Sequence, residues 1–365
     1  MDKSMVLFEN LLMRIDRKLP FLGMTPINEP SEHKKFFKQK DYNPLFRYKK
    51  PATCDKLFRE IDDVELDEGI ISRLLMQRLE KFKRTNAMLQ NLGKQEFTYF
   101  SKGIFGKPSQ ELVAQAYEIL KNPPEKDEDV LDGKKVMGAL KKAIADLELK
   151  EWKTAFKPMA SYAAVLSSKK MIYLKRHSKF PQNFIKRMIV HEIGAHVFRA
   201  VNGEQQPYKI FFTGLPNYMM TEEGLAVNIE EMYDCLKTST LRAYAGRTIA
   251  INLSLQNGFR NVFNELRQYF DDDSAWKLVL RAKRGLIDTS KPGAYTKDHL
   301  YLEGYYRVKK FLAENKKSGL KKLYYGRIDT EQVNLLDKIM GLKEPDWLPD
   351  SAKFKAVIEK LSSER

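Results

Sequence analysis

His191-Glu192-Ile193-Gly194-Ala195-His196 is the stretch on which the reading of the fold turns. It sets two imidazoles, which can ligate a metal, around a carboxylate that can act as a base. In the common zinc helix the two histidines stand at i and i+4, with glutamate after the first. Here the second stands at i+5. On a regular α-helix five residues turn about 140° round the axis, so the rings would point apart. Three explanations stay open at this point: an accidental pairing of two helix histidines, a helix that ends near Gly194, or a π-bulge that nearly aligns i with i+5. Gly194 lies inside the interval and lowers the cost of irregular backbone. A shared metal therefore predicts a bulge near Gly194.

A third ligand is available downstream. Thr221-Glu222-Glu223-Gly224-Leu225-Ala226 begins a helical pattern that continues through Val227, Ile229, Met232 and Leu236. Thr221 reads as its N-cap, which puts both glutamates in the first turn, where the helix dipole favours negative charge. A capped helix with acidic first-turn residues is common in its own right. A His-Glu helix followed by a Glu-bearing helix is also the layout of zinc peptidases whose third ligand is glutamate. A strand ahead of the first helix would then pair with an extended peptide.

Such strands are legible. Trp152–Phe156, Tyr162–Leu166 and Met171–Leu174 are short runs rich in β-formers, and 167–170 is a hairpin turn between the last two. Val136–Leu147 reads as a helix before them. Pro181 marks the start of the helix that carries Phe184, Ile185, Met188, Ile189 and His191. Upstream, residues 1–19 form an amphipathic helix, and 20–55 read as an irregular connection rich in proline. Residues 56–92 and Ser109–Lys121 are helical, the latter stopped by Pro123 and Pro124. Asn122–Asp129 is the candidate boundary between an N-terminal helical and extended region, 1–125, and a catalytic domain, 126–365. From Thr221 onward the chain is mostly helical.

Composition narrows the classes. The chain has 365 residues, 43% hydrophobic and 11% aromatic, as an ordinary globular protein does. No apolar run approaches the ~20 residues of a membrane helix, and charges interrupt the N-terminal segment, which argues against a signal peptide and for a cytoplasmic protein. Cys54 and Cys235 form neither a disulfide framework nor a metal spacing. Lys plus Arg total 64 against 48 Asp plus Glu, a net charge of +16. No nucleic-acid motif accompanies that charge, so nucleic acid is disfavoured; an acidic peptide substrate suits it.

Together the motifs resemble the family whose animal members are microtubule-associated tyrosine carboxypeptidases and whose bacterial members are labelled flavohaemoglobin-expression-modulating proteins, after a Q/E-E-G-L-A motif. The resemblance rests on the six residues at 191–196 with Arg199, Val201 and Asn202, and on Thr221–Ala226. A third block agrees: Lys283–Leu286, Asp288–Ser290, Pro292-Gly293, Thr296–Asp298 and Tyr301–Gly304. Weaker similarity reaches upstream to Asn43-Pro44. The resemblance implies that His191, His196 and Glu223 ligate one Zn2+ per chain, with Glu192 catalytic and Glu222 not a ligand. Ala195 stands where animal members have threonine.

The resulting expectation is an α+β, predominantly helical protein with a zincin-like metallopeptidase domain: a small mixed sheet, an active-site helix and a glutamate helix. Its expected activity is that of a zinc metallocarboxypeptidase, a hydrolase removing a C-terminal residue, aromatic residues included, from a peptide or protein tail, with Glu192 as general base for a zinc-activated water. Arg199, Arg284 and Lys297 are candidates for the cation that meets the substrate's terminal carboxylate. Tyr301 or His299 would donate to the oxyanion. Two other classes compete: a zinc hydrolase of a non-peptide substrate, and a regulatory protein with a structural metal. Oligomeric state is not legible.

Overall fold

A computed structural model describes residues 2–19, 24–125, 130–159, 161–181 and 183–363. Six helices come first: α1 Lys3–Lys18, α2 Glu29–Lys38, α3 Asp55–Asp62, α4 Ile70–Gln90, α5 Glu96–Phe105 and α6 Gln110–Lys121. The middle of the chain carries β1 Val130–Leu131, α7 Gly133–Asp146, β2 Lys153–Lys157, β3 Ala163–Leu166, β4 Met171–Lys175 and β5 Phe180–Pro181. The histidine segment follows as α8 Phe184–Met188, a π-helix over Ile189–Val197, and α9 Phe198–Gln205. Then come α10 Ile210–Thr213, α11 Tyr218–Met232, α12 Thr238–Ser254, α13 Phe259–Leu266, α14 Asp272–Lys283, α15 Leu300–Lys322 and α16 Ala352–Ser363. This is an α+β chain, predominantly helical with a small mixed sheet.

Several elements begin where local chemistry dictates. Ser109 caps α6 by accepting from the Leu112 amide at 3.1 Å, and Leu112, Val113, Ala116 and Leu120 give that helix its buried face. Asp132 caps α7 and Asp271 caps α14 in the same way. The three-stranded sheet has the order β2-β4-β3, with β2 parallel and β3 antiparallel to the central β4. The predicted β3–β4 turn is present, and Lys170 closes it at φ +49°. β3 is thus an edge strand, with one side unpaired by β4.

Three expectations change. The stretch 20–55 is not wholly extended, because α2 lies within it. Pro30 stands in that helix's first turn, where its missing N–H costs nothing, so it starts the helix instead of breaking it. Phe36 then locks α2 into a cluster with Phe259, Phe263 and Trp276. Pro181 belongs to β5, paired with Val130, and the histidine segment begins at Phe184. Thr221 is no N-cap. It lies inside α11, where its hydroxyl donates to Asp329 at 3.1 Å and accepts from the Thr330 amide at 3.0 Å. Residues 126–129 of the candidate boundary lie outside the described residues.

One buried cluster draws on α1, α3, α4, the sheet, the histidine segment and α16, including Phe8, Ile61, Leu75, Ile172, Ile193 and Phe354. A second gathers α2, α6 and α12–α14 around Phe36, Ile249, Phe259 and Trp276. α11 feeds both, with Leu225 in the first and Val227 in the second, and it is buried almost all round. Its closest neighbour is α15. A Cβ on Gly224 would stand 2.6 Å from the Gly304 Cα, so only two glycines let these backbones touch. Asn228 secures the crossing, donating to the carbonyls of Gly224 at 2.8 Å and Tyr305 at 3.0 Å. The contact brings the start of α15, with Tyr301, against the glutamates of α11.

Candidate metal centre

His191 and His196 sit within the π-helix, where hydrogen bonds span five residues and align i with i+5. Their ring centroids are 4.9 Å apart, with the ring planes near perpendicular. Gly194 serves this segment differently from the sequence argument. It has no positive φ; instead, a Cβ there would meet the Phe354 ring at 2.8 and 3.1 Å. Its carbonyl accepts from the buried Tyr324 hydroxyl at 2.7 Å. Packing by α16 and a side-chain donor thus support the irregular turn.

Glu223 enters from α11. Its Oε2 lies 4.0 Å from His191 Nε2 and 3.9 Å from His196 Nε2, and one donor atom from each of the three residues falls within 4.8 Å of the others. Each histidine is held from behind. Glu230 Oε1 stands 2.6 Å from His191 Nδ1, and Glu222 Oε1 3.0 Å from His196 Nδ1. A carboxylate at Nδ1 favours a proton there, leaving the Nε2 lone pair free toward Glu223. Two imidazole nitrogens and a carboxylate oxygen converging this way are a donor set suited to zinc, and the carboxylate–histidine pairs are the usual support of such ligands.

The buried charges are compensated. Burial pushes the Glu222 carboxyl up, but Arg199, Arg327 and His196 outweigh it and hold the group at about 2. Glu223 is also lowered: burial opposes ionisation, and Lys297, His196 and His191 overcome it. His191 is raised, because the Glu230 hydrogen bond and the charges of Glu230, Glu192 and Glu223 exceed the effect of burial. Glu192, by contrast, is raised by burial, which its two flanking histidines only partly offset. It is the carboxylate here without a hydrogen-bonding side chain among the described residues.

All three of the expected substrate cations are otherwise engaged. Arg199 is fully buried; it pairs with Glu222 and donates to the carbonyls of Leu323, Gly326 and Ile328. It braces His196 through Glu222 and, being fully buried, is not among the residues that line the cleft. Arg284 donates to Asp298 at 3.0 Å and lies over the Tyr295 ring, and it is not among the residues that line the cleft. Lys297 is at the centre, but its ammonium donates to Glu223 Oε1 at 3.2 Å, so it fixes the Glu223 carboxylate. His299 is buried between the Thr296 carbonyl and Glu303, which leaves it no oxyanion role. Tyr301 does face the cleft, its ring stacked 5.1 Å from Tyr244.

That cleft, about 1540 Å³, opens over His191 and Glu192. Lysines and arginines far outnumber carboxylates along it, and Tyr162, Phe184, Phe270 and Trp276 add apolar wall. Sequence reasoning missed Glu230 and the cleft arginines Arg187, Arg247 and Arg281. Glu230 was findable, being seven residues after Glu223 and so on the same helix face. The three arginines lie outside every motif quoted from the sequence.

Two histidines and a glutamate thus converge as a donor set that a divalent metal would fit, with a second glutamate, Glu192, beside them. The family model described as Microtubule-associated tyrosine carboxypeptidase matches residues 34–363, and the chain belongs to that family. It is 30% identical over 188 residues to Microtubule-associated tyrosine carboxypeptidase 1 of Mus musculus, covering 49% of this chain and 39% of the relative. It is 31% identical over 189 residues to the Homo sapiens protein of the same name, with the same coverage. The match thus spans well under half the length of these curated relatives. Among the described residues, no helix is long and apolar enough to cross a membrane.

Proposed function

We propose that this chain is a zinc-dependent, zincin-like metallocarboxypeptidase that removes the last residue of an acidic peptide or protein tail. The observation that carries this reading is the convergence of His191, His196 and Glu223 beside the buried Glu192, at the base of a cation-rich cleft. Family membership supports peptide hydrolysis, and the relatives' printed names support tyrosine as the residue removed. The aromatic wall of the cleft is compatible with that choice.

Zinc held by the three ligands would supply Lewis acidity toward the scissile carbonyl and the attacking water. The chain's own groups do the rest. Glu192 takes a proton from the water as its oxygen adds to the carbonyl carbon, then returns it to the amine as the C–N bond breaks. Tyr301 offers a hydroxyl from the cleft side to the developing oxyanion. Glu222 and Glu230 keep the imidazoles oriented, and Lys297 does the same for Glu223. The β3 edge, with Tyr162 and Ala163 on the cleft, can pair with an extended tail. The basic walls attract acidic residues further along it.

The test is release of the terminal amino acid from acidic peptides, read by mass spectrometry. Glu192→Gln, with zinc retained, should lower turnover roughly a hundredfold or more. Unchanged turnover would contradict the mechanism. Hydrolysis of ester or amide substrates other than peptides, with peptides untouched, would favour a non-peptide hydrolase.

A further inference from the structure

Five arginines line the cleft, and four have an evident disposition. Arg187 Nη1 stands 3.8 Å from Glu230, Arg281 pairs with Asp298 at 2.5 Å, and Arg242 donates to three backbone carbonyls. Arg176 is exposed at the rim. Arg247 differs from all of them. Among the described residues no carboxylate or carbonyl holds its guanidinium. It lies instead against two aromatic faces, 5.0 Å from the Tyr244 ring and 4.8 Å from the Tyr301 ring. Tyr244 precedes it by three residues on α12, and Tyr301 is contributed by α15, so two helices fix its place.

This is a half-buried cation supported from below with its donors uncommitted. Burial pushes its pKa down, and neighbouring Arg281 pushes the same way more strongly than Asp298 opposes it. An arriving anion would relieve both effects. A planar guanidinium resting on aromatic faces presents its fork to a carboxylate in two parallel hydrogen bonds. Position supplies the last element. Arg247 shares the cleft with Glu192 and His191, and its supporting Tyr301 is close enough to feel the charges of Glu223 and Lys297. An anion on Arg247 would thus share the cleft with His191 and Glu192.

We propose that Arg247 receives the free C-terminal carboxylate of the substrate, and that this contact makes the site an exopeptidase site. The assignment rests on the peptidase reading above. It gives Arg247 the role for which Arg199, Arg284 and Lys297 are already committed elsewhere. Tyr244 is its platform, a positioning residue that does not touch substrate.

The test uses a fluorescein-labelled acidic peptide ending in Glu-Glu-Tyr, prepared as the free acid and as the C-terminal amide. Binding is measured by fluorescence anisotropy on zinc-loaded Glu192→Gln protein, which holds the probe without cleaving it. The free acid should bind roughly ten- to a hundredfold more tightly than the amide. Adding Arg247→Gln should reduce acid binding to the amide's level and leave amide binding unchanged; Arg247→Lys should restore part of the difference. Zinc content and thermal unfolding of each variant exclude a folding defect. A preserved acid-to-amide ratio in Arg247→Gln would overturn the assignment, as would equal loss with both probes, which would mean that Arg247 meets a side-chain carboxylate. If the parent chain does release the terminal tyrosine, such a result sinks the anchor alone. Absence of release from the parent chain sinks the peptidase reading itself.

Discussion

Four glutamates stand around two histidines, each in its own surroundings. Glu223 faces both Nε2 atoms, Glu222 and Glu230 face the two Nδ1 atoms, and Glu192 faces the cleft without a side-chain partner. Glu230 offers the sharpest residue-scale prediction. A neutral amide at this position can still accept the Nδ1 proton but makes the imidazole a poorer ligand. Glu230→Gln should weaken zinc binding roughly tenfold or more, measured by competition with a chelating dye, with no loss in metal-free thermal stability. Unaltered affinity would show that Glu230 does not tune His191. Arg199 teaches the opposite lesson. Its place on the histidine segment suggested a substrate contact, yet burial and four protein acceptors make it a brace for Glu222.

At the scale of elements, the π-helix and the α11–α15 crossing build the centre. The i+5 spacing of the histidines was legible because a regular helix cannot bring them together, and the irregular turn appears where that argument put it. What sustains the turn was not legible: Phe354 and Tyr324 arrive from more than a hundred residues away. The helix-start error at Thr221 has a similar origin, since its hydroxyl answers to Asp329 and Thr330, not to its own helix. The crossing predicts that Gly224→Ala is costly despite adding one methyl group, because the methyl meets backbone that cannot rotate away. Unfolding measured by heat or denaturant should show a loss of about 1–3 kcal/mol, and zinc binding should weaken as Glu223 shifts. A variant with parental stability would mean that the two helices can part without penalty.

Across the whole molecule, the sequence patterns revealed the sheet, most helices, the three residues that converge at the candidate centre and the basic balance. They did not reveal the cleft. Its wall joins the start of α2, the turn before β3, α8, α12 and α14, and no single segment announces a shared surface. The net charge of +16 became informative only once part of it lay along one groove above Glu192. The proposed chemistry depends on a metal at His191, His196 and Glu223. The most direct test is elemental mass spectrometry of the purified chain after zinc loading and exhaustive dialysis. One zinc per chain is expected, lost in both Glu223→Gln and His196→Ala while circular dichroism and thermal unfolding show a folded protein. A parent chain without stoichiometric zinc, or variants that retain it at parental affinity, would contradict the centre.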